Sequence, residues 1–336
     1  MNLITDICES DFPLSHSELH HYADFAGLEG IFKNQTLWAS NYQQLNDTKE
    51  TAILEVPLIE ALTKRFRPLV EAKQRTIPQV RKAVEECGGD LNKISADLAS
   101  DLVKSFYDTV ARGTAPLDYY VTCFCTHAKD DYARENGLLS QWRGYGGPDG
   151  GFCIVFDSAA LIPLLQKEFE AHYWTVPPRL AAVNYHTADF SVEGIFKLLL
   201  DECDNVLSAA LTNAPYPEIV MANFLWAAPL LKHQGFQEES EARIVVIPGT
   251  KHDCDAVVAE HGDVINLPLK EIRARSDGRQ YVVLFDGLNL KLPIKRVIIG
   301  PSRLQDENFD KARRLLGDDI PIVRSDTPFL PLPALK

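Results

Sequence analysis

The chain has 336 residues, 46% of them hydrophobic, and a formal net charge of −13. That is apolar material enough for one large core or two ordinary ones. The acidic balance argues against generic nucleic-acid binding, which needs clustered Lys and Arg to displace counterions, and the absence of an apolar run of about 18 residues argues against a membrane-spanning helix.

The opening stretch, MNLITDICESDFPLSHSE, has no basic segment followed by an apolar one, so no secretory signal is expected and a cytoplasmic protein is. Residues 19–23 read as a strand. Phe25 to Lys33 read as a helix with Phe25, Leu28, Ile31 and Phe32 on one side and Asn34 as its left-handed stop. Leu37 to Ser40 form a second strand, and from 48 to 112 the pattern turns helical, interrupted at Pro68 and Gly88-Gly89. LDYYVTCFC at 117–125 is a β-branched and aromatic strand; a loop and short helix follow it, and GFCIVFD at 151–157 is the next strand. A second helical stretch covers 191–233. Strands then fall at 242–248, 280–287 and 291–301, a helix at 304–316 and a last strand in IPIVRSDT. The pattern predicts one elaborated α+β domain, with short, mainly antiparallel strands and helical insertions at 51–112 and 191–233.

Polar residues at the ends of these short apolar elements are the candidate site. In the strand opened by His20-His21-Tyr22, alternation turns His20 and Tyr22 one way and His21 the other. A His there can serve a ribose hydroxyl or act as a base, and a Tyr can stack on a planar ring, or both can be ordinary half-buried residues. Asp47 with Glu50 three residues on reads mainly as a capping box, with a polar ligand or cation as the alternative. Period two also sets Glu239, Glu241 and Arg243 on one face. There the arginine offsets the repulsion between two carboxylates, one of which can stay ionised to grip a hydroxyl or a cationic transition state. Trp142 and Tyr145, three apart on a short helix, are core anchors or a stacking wall for a base. The glycines at 146–151 lack the order of a phosphate cradle.

Cys123-Phe124-Cys125-Thr126-His127 has no second ligand pair at zinc spacing, so no metal site is expected. Seven cysteines, an odd number in mostly apolar settings such as Cys123, Cys153 and Cys203, fit reduced buried thiols. Three small basic clusters, Lys64-Arg65-Arg67, Arg273-Arg275 and Lys311-Arg313-Arg314, read as solvated faces, with a local site for a small anion still open.

Taken in order, these segments resemble the bacterial family known as domain of unknown function 2971. The resemblance rests on His21-Tyr22, Gly30-Ile31-Phe32, Leu37 to Ser40, Asn46 to Glu50, Cys123 to Cys125, Trp142 to Tyr145, Gly151 to Phe156 and Glu239 to Arg243. Thr48 stands where that family has Pro, and Cys125 where it has Ser, so the latter's hydroxyl is missing here.

More distantly, the opening strand, helix and second strand, together with Glu-x-Glu, are similar to ADP-ribosyltransferase-type NAD-binding domains. That resemblance implies NAD as the substrate. His21 would hold its ribose, Tyr22 or Trp38 would stack on nicotinamide, and Ser40 would assist. Glu241 or Glu239 would stabilise the oxocarbenium-like transition state. Trp142, Tyr145 and Arg243 would complete the binding surface. The expected activity is ADP-ribosyl transfer to an unidentified macromolecule or NAD hydrolysis, as in a toxin or phage-defence effector. The alternatives are a non-catalytic nucleotide- or protein-binding module, or docking through the helical insertions.

Overall fold

The structure, a computed structural model, describes residues 7–45, 50–112, 118–147, 149–187, 191–212, 214, 216–262 and 266–328. Its strands are β1 (Glu18–Ala23), β2 (Leu37–Asn41), β3 (Tyr120–Cys125), β4 (Phe152–Asp157), β5 (Trp174–Ala182), β6 (Asn184–His186), β7 (Leu231–His233), β8 (Glu241–Pro248), β9 (Ile272–Ala274), β10 (Gln280–Leu284), β11 (Ile294–Ile299) and β12 (Ile322–Arg324). The fold is mixed α+β with a mainly antiparallel sheet. The chain forms two compact units. One is made of Tyr42–Tyr119 and Asn184–Gln234; the other is made of Thr5–Asn41, Tyr120–Val183 and Gly235–Lys336.

The second unit holds the large sheet, in the order β12-β11-β4-β1-β3-β2-β10-β9, with β8 also on β3 and β5 on β8. Every pairing in it is antiparallel except β11 with β12. Alternation sends Leu19, Leu37, Ala39, Phe124, Ile154, Phe156, Ala242, Ile244, Val282 and Ile299 to one face, where they form the main core. The helices Phe25–Asn34, Ser158–Ala171 and Gln305–Leu316 contribute Leu28, Leu161, Leu165, Ala312 and Leu316 to that core.

In the first unit the two helical stretches pack on each other. The helices Glu50–Lys73 and Leu91–Arg112 meet those from Val192 to Ala227. Phe106 and Phe196 lie 5.0 and 6.4 Å from the ring of Phe224, and Lys73 Nζ reaches Asp204 at 2.9 Å. β6 and β7 pair in parallel within this unit, so the last residues of the expected 191–233 helical stretch form a strand.

Several boundaries differ from expectation. Pro68 and Pro57 lie inside the helix Glu50–Lys73, because its packed apolar face outweighs the missing hydrogen bonds. The chain breaks after Lys73 instead, and again at Gly88-Gly89, both at positive φ. The left-handed stop of the first long helix of the sheet unit falls on Gln35 (φ 55°), one residue later than expected. β10 ends at Leu284, since Phe285 adopts φ 68°. The helices Ser158–Ala171 and Lys251–His261 and strand β5 lie where no element was expected. Pro177-Pro178 hid β5; β8 is its one strand partner among the described strands, Leu180 also donating to the Ile7 carbonyl, and its register shifts around the two prolines. The Asp47 cap falls on residues 46–49, outside the described ones. All seven cysteines are free, and no described helix is long and apolar enough to cross a membrane.

Phe156 is fully buried and meets Phe124 edge to face at 5.8 Å. Phe156→Ala is expected to destabilise the sheet unit by about 3–5 kcal/mol in denaturant unfolding. A loss under about 1 kcal/mol would place the core elsewhere.

Candidate functional site

The face of the sheet turned away from the core carries the polar groups. β3 sets its geometry. One edge pairs with β8 along its whole length, from Tyr120↔Val246 to Cys125↔Glu241. The other edge is divided: Tyr120 and Val121 pair with β2, and Cys125 pairs with His20 of β1. Between these points the chain forks. His21 Nδ1 donates to the Cys123 carbonyl at 3.0 Å, and Thr122 Oγ1 donates to the Trp38 carbonyl at 3.0 Å. By register, His20, Tyr22, Trp38, Ser40, Cys123, Cys125, Glu241 and Arg243 all point to the polar face.

His21 points to the other face, with its ring against Phe124 at 5.6 Å. The alternation that puts it there corrects its grouping with Glu241; on that face the histidine is His20. Burial lowers the His21 pKa, opposed by its bond to the Cys123 carbonyl.

His20, Tyr22 and His127 form one buried network. His20 Nε2 donates to the Arg134 carbonyl at 3.0 Å. The Tyr22 hydroxyl accepts from the Leu138 amide at 2.9 Å and donates to His127 Nε2 at 2.8 Å. The two imidazoles meet edge to face at 4.8 Å. His127 adopts φ 46°, a conformation rare for a non-glycine residue and one that persists where its surroundings over-determine it. Burial lowers His20 to about 4, and burial together with His20 lowers His127 to about 3, so both rings are neutral. Burial raises Tyr22 far above its ordinary value.

Trp142 closes this network, edge to face with Tyr22 at 4.8 Å. Gly137 (φ 76°) lies so close beneath the indole that a Cβ would stand 2.4 Å from the ring. Tyr145 is exposed, so the two aromatics do not form one wall; their helix ends at Tyr145, which leaves that ring at the helix end.

Beside this network, across Cys125, lies the ion pair of Glu241 and Arg243. Arg243 Nε and Nη2 donate to Glu241 Oε1 and Oε2 at 2.8 and 3.1 Å, and both residues are buried. Glu239 is not on this strand. It ends the 3-10 turn Gln234–Glu239, and Ser240 at φ 43° breaks the alternation, so Glu239 sits half-buried at the strand entry. Burial, then the charges of Glu239 and Glu241 among others, raise the Cys125 thiol well above its usual value, so it stays protonated. Among the described residues no three His, Cys, Asp or Glu side chains converge to hold a metal ion.

Trp38 and Ser40 belong to a more open part of the same face. Trp38 stacks on Tyr281 at 4.2 Å, and Arg275 lies over both rings at 5.2 and 5.9 Å while Nη2 donates to Ser40 Oγ at 3.2 Å. Sequence reasoning missed Tyr281, and read Arg275, within Arg273-Arg275, as a solvated face with a small-anion site left open. Tyr281 precedes the buried residues of β10, and alternation alone would have exposed it. It also missed a fully buried carboxylate, Glu168, which faces Lys270 Nζ at 2.9 Å and His172 Nδ1 at 3.0 Å. Glu168 also accepts the amide of the left-handed Phe285 at 2.6 Å. The Glu-x-x-x-His spacing was its only trace.

The neutral imidazoles give a pH dependence of fixed sign. The unfolded chain binds their protons below about 6.5, whereas the fold refuses them until about 4 and 3. Their contribution is complete above pH 6.5 and is lost as the pH falls, by up to about 1.4 kcal/mol per unit for each ring. For Glu18, burial raises the carboxyl but the bonds from Arg296 and Lys295 prevail and hold it at about 2. Its contribution is lost only below its ordinary value, near 4.5. Unfolding free energy is therefore expected to fall between pH 6.5 and 5. His127→Asn, neutral and tolerant of the left-handed backbone, is expected to reduce that slope. An unchanged slope would contradict a buried neutral His127.

No curated protein and no solved structure matches the chain. Residues 141–244, from the Trp142 helix through β4 and β5 to the Glu241–Arg243 pair, match the family described as Protein of unknown function (DUF2971).

Proposed function

We propose that the protein is an NAD-consuming enzyme that cleaves the N-glycosidic bond between nicotinamide and ribose, transferring ADP-ribose to a macromolecule or to water. The observation that carries this reading is the shared polar face, on which Tyr22, Trp38, Ser40, Glu241 and Arg243 are set by one register. In the reaction the bonding pair leaves with nicotinamide, whose ring nitrogen thereby loses its charge. The positive charge passes to the ribosyl carbon, and the acceptor adds there and gives up a proton. Glu239 and Glu241 supply negative charge for that cation. Arg243 fixes the Glu241 carboxylate in place, and Trp38 offers an aromatic surface to a planar ring. Depletion of NAD, or modification of a target, would suit a toxin or phage-defence effector.

A second reading, a non-catalytic nucleotide- or protein-binding module, is favoured by one observation. Both Glu241 oxygens are taken by Arg243 in a buried pair, so neither is open to a ribose hydroxyl.

Incubation of the purified protein with NAD is expected to release nicotinamide. Glu239→Gln and Glu241→Gln are each expected to cut the rate about 100-fold or more. Glu241→Gln also strands the buried Arg243 charge, at a cost of about 3–5 kcal/mol. The half-buried Glu239 therefore gives the cleaner reading. No release from the native protein would sink the catalytic proposal. NAD binding without turnover, unaffected by either substitution, would establish the second reading.

A further inference from the structure

The Trp38–Tyr281–Arg275 cluster holds an aromatic surface left open on the sheet's polar face, and its arginine is placed unlike its neighbours. Trp38 is 47% exposed, whereas Trp142, Trp174 and Trp226 are each at or below 5%. Arg273 is tied to Glu271 and Asp286, and Arg279 to Asp277, all within 3.0 Å. Among the described residues Arg275 makes no ion pair with a carboxylate, although, behind the bonds from Arg279, its charge helps to lower the Asp277 carboxyl. Its guanidinium donates through Nη2 to a hydroxyl, and its Nε is buried without an acceptor.

The positive charge of Arg275 stands on a chain of net charge −13. Here it lies over two stacked rings beside an open indole face. With Nη2 on Ser40 and Nε buried, Arg275 keeps Nη1 for a single charge-assisted contact to a phosphate oxygen, and an exposed indole is suited to a planar heterocycle.

We infer that this cluster docks a mononucleotide unit, with the base stacked on Trp38 and the phosphate met by Arg275. The plain alternative is a cross-strand aromatic and cationic pair that only steadies the sheet edge. That alternative explains the Trp38–Tyr281 stack but not why Arg275, unlike Arg273 and Arg279, makes no ion pair with a carboxylate. The inference does not depend on the proposed glycosidic cleavage, because a non-catalytic binder would use the same surface.

The arrangement of tryptophans supplies the probe. Emission accessible to acrylamide belongs to Trp38, since the other three indoles are buried. Titration of the intact protein with AMP is expected to quench that emission saturably and to protect it from acrylamide. AMP is expected to bind at least about tenfold more tightly than adenosine, the contribution of one charge-assisted pair. Arg275→Gln is expected to bring AMP down to the affinity of adenosine while leaving adenosine binding unchanged. Trp38→Leu, at a half-exposed position and checked for an unchanged unfolding midpoint, is expected to abolish binding of both, read by equilibrium dialysis of labelled nucleotide.

Absence of saturable AMP binding would overturn the inference, as would equal affinity for AMP and adenosine in the native protein. Competition by inorganic phosphate as strong as that by AMP would also overturn it, since the ring would then contribute nothing. AMP carries no nicotinamide bond, so the outcome is separate from that of the nicotinamide-release experiment.

Discussion

A strand has two edges, and β3 shares them among three partners. β8 takes one edge entirely, and β1 and β2 divide the other, so neither can follow β3 along its whole length. With the pairing fixed, side-chain alternation leaves no freedom about which residue faces which way. The core face fills with aromatic and β-branched groups. The opposite face receives His20, Tyr22, Ser40, Glu241 and Arg243 from the same strands, while His21 and Thr122 stay on the core side, and part of that opposite face is buried too. Each such group then needs a partner inside the protein, because a buried ion or donor left alone costs several kcal/mol. The pairings observed meet most of that need: Tyr22 with His127 and Leu138, His20 Nε2 with the Arg134 carbonyl, and Arg243 with Glu241, while His20 Nδ1 is buried without a partner.

Much of this was legible from period and composition. The strands at 18–23, 37–41, 120–125, 152–157, 241–248 and 294–299 follow from alternating or continuous apolar runs, and the long helices from their stripes. What stayed hidden is of two kinds. β5 carries Pro177-Pro178, which argues against a strand in any local reading, and only its place at the sheet margin makes those prolines harmless. The Glu241–Arg243 pair was visible because its members are two apart on one strand. The Tyr22–His127 bond joins residues 105 apart, and the Arg275–Ser40 bond joins residues 235 apart; no spacing encodes such contacts. Glu239 failed for a local reason. A single left-handed residue at Ser240 ends the alternation on which its placement depended.

Two backbone distortions show what holds this face together. Phe285 at φ 68° gives its amide to the fully buried Glu168, and His127 at φ 46° holds its ring on the Tyr22 hydroxyl. A non-glycine residue in this region costs on the order of 1–3 kcal/mol and persists only where the surroundings over-determine it. In both cases one strong polar contact from a distant element does so. The histidine is the more telling of the two, because it adjoins the candidate chemistry while the phenylalanine adjoins a structural carboxylate.

The polar face thus has two halves with different demands. The half built on His20, Tyr22, His127, Glu241 and Arg243 is buried and largely paired within itself, His20 Nδ1 excepted, so a substrate reaching it must displace existing bonds. The half built on Trp38, Ser40, Tyr281 and Arg275 is more open, and its arginine makes no ion pair among the described residues. Binding at the open half needs no rearrangement. Catalysis at Glu241 needs the Arg243 fork to release at least one carboxylate oxygen, and an anionic group offered to that guanidinium is the chemistry most able to compensate it. The diphosphate of a dinucleotide is such a group. The fork between β1 and β2, held by the His21 and Thr122 bonds at Cys123 and Trp38 and not by a strand ladder, lies between the two halves. A ligand anchored by its base at Trp38 would extend across that fork toward Arg243. On the proposed reading the open half would act first, and the buried half would yield only to a ligand long enough to bring its own negative charge.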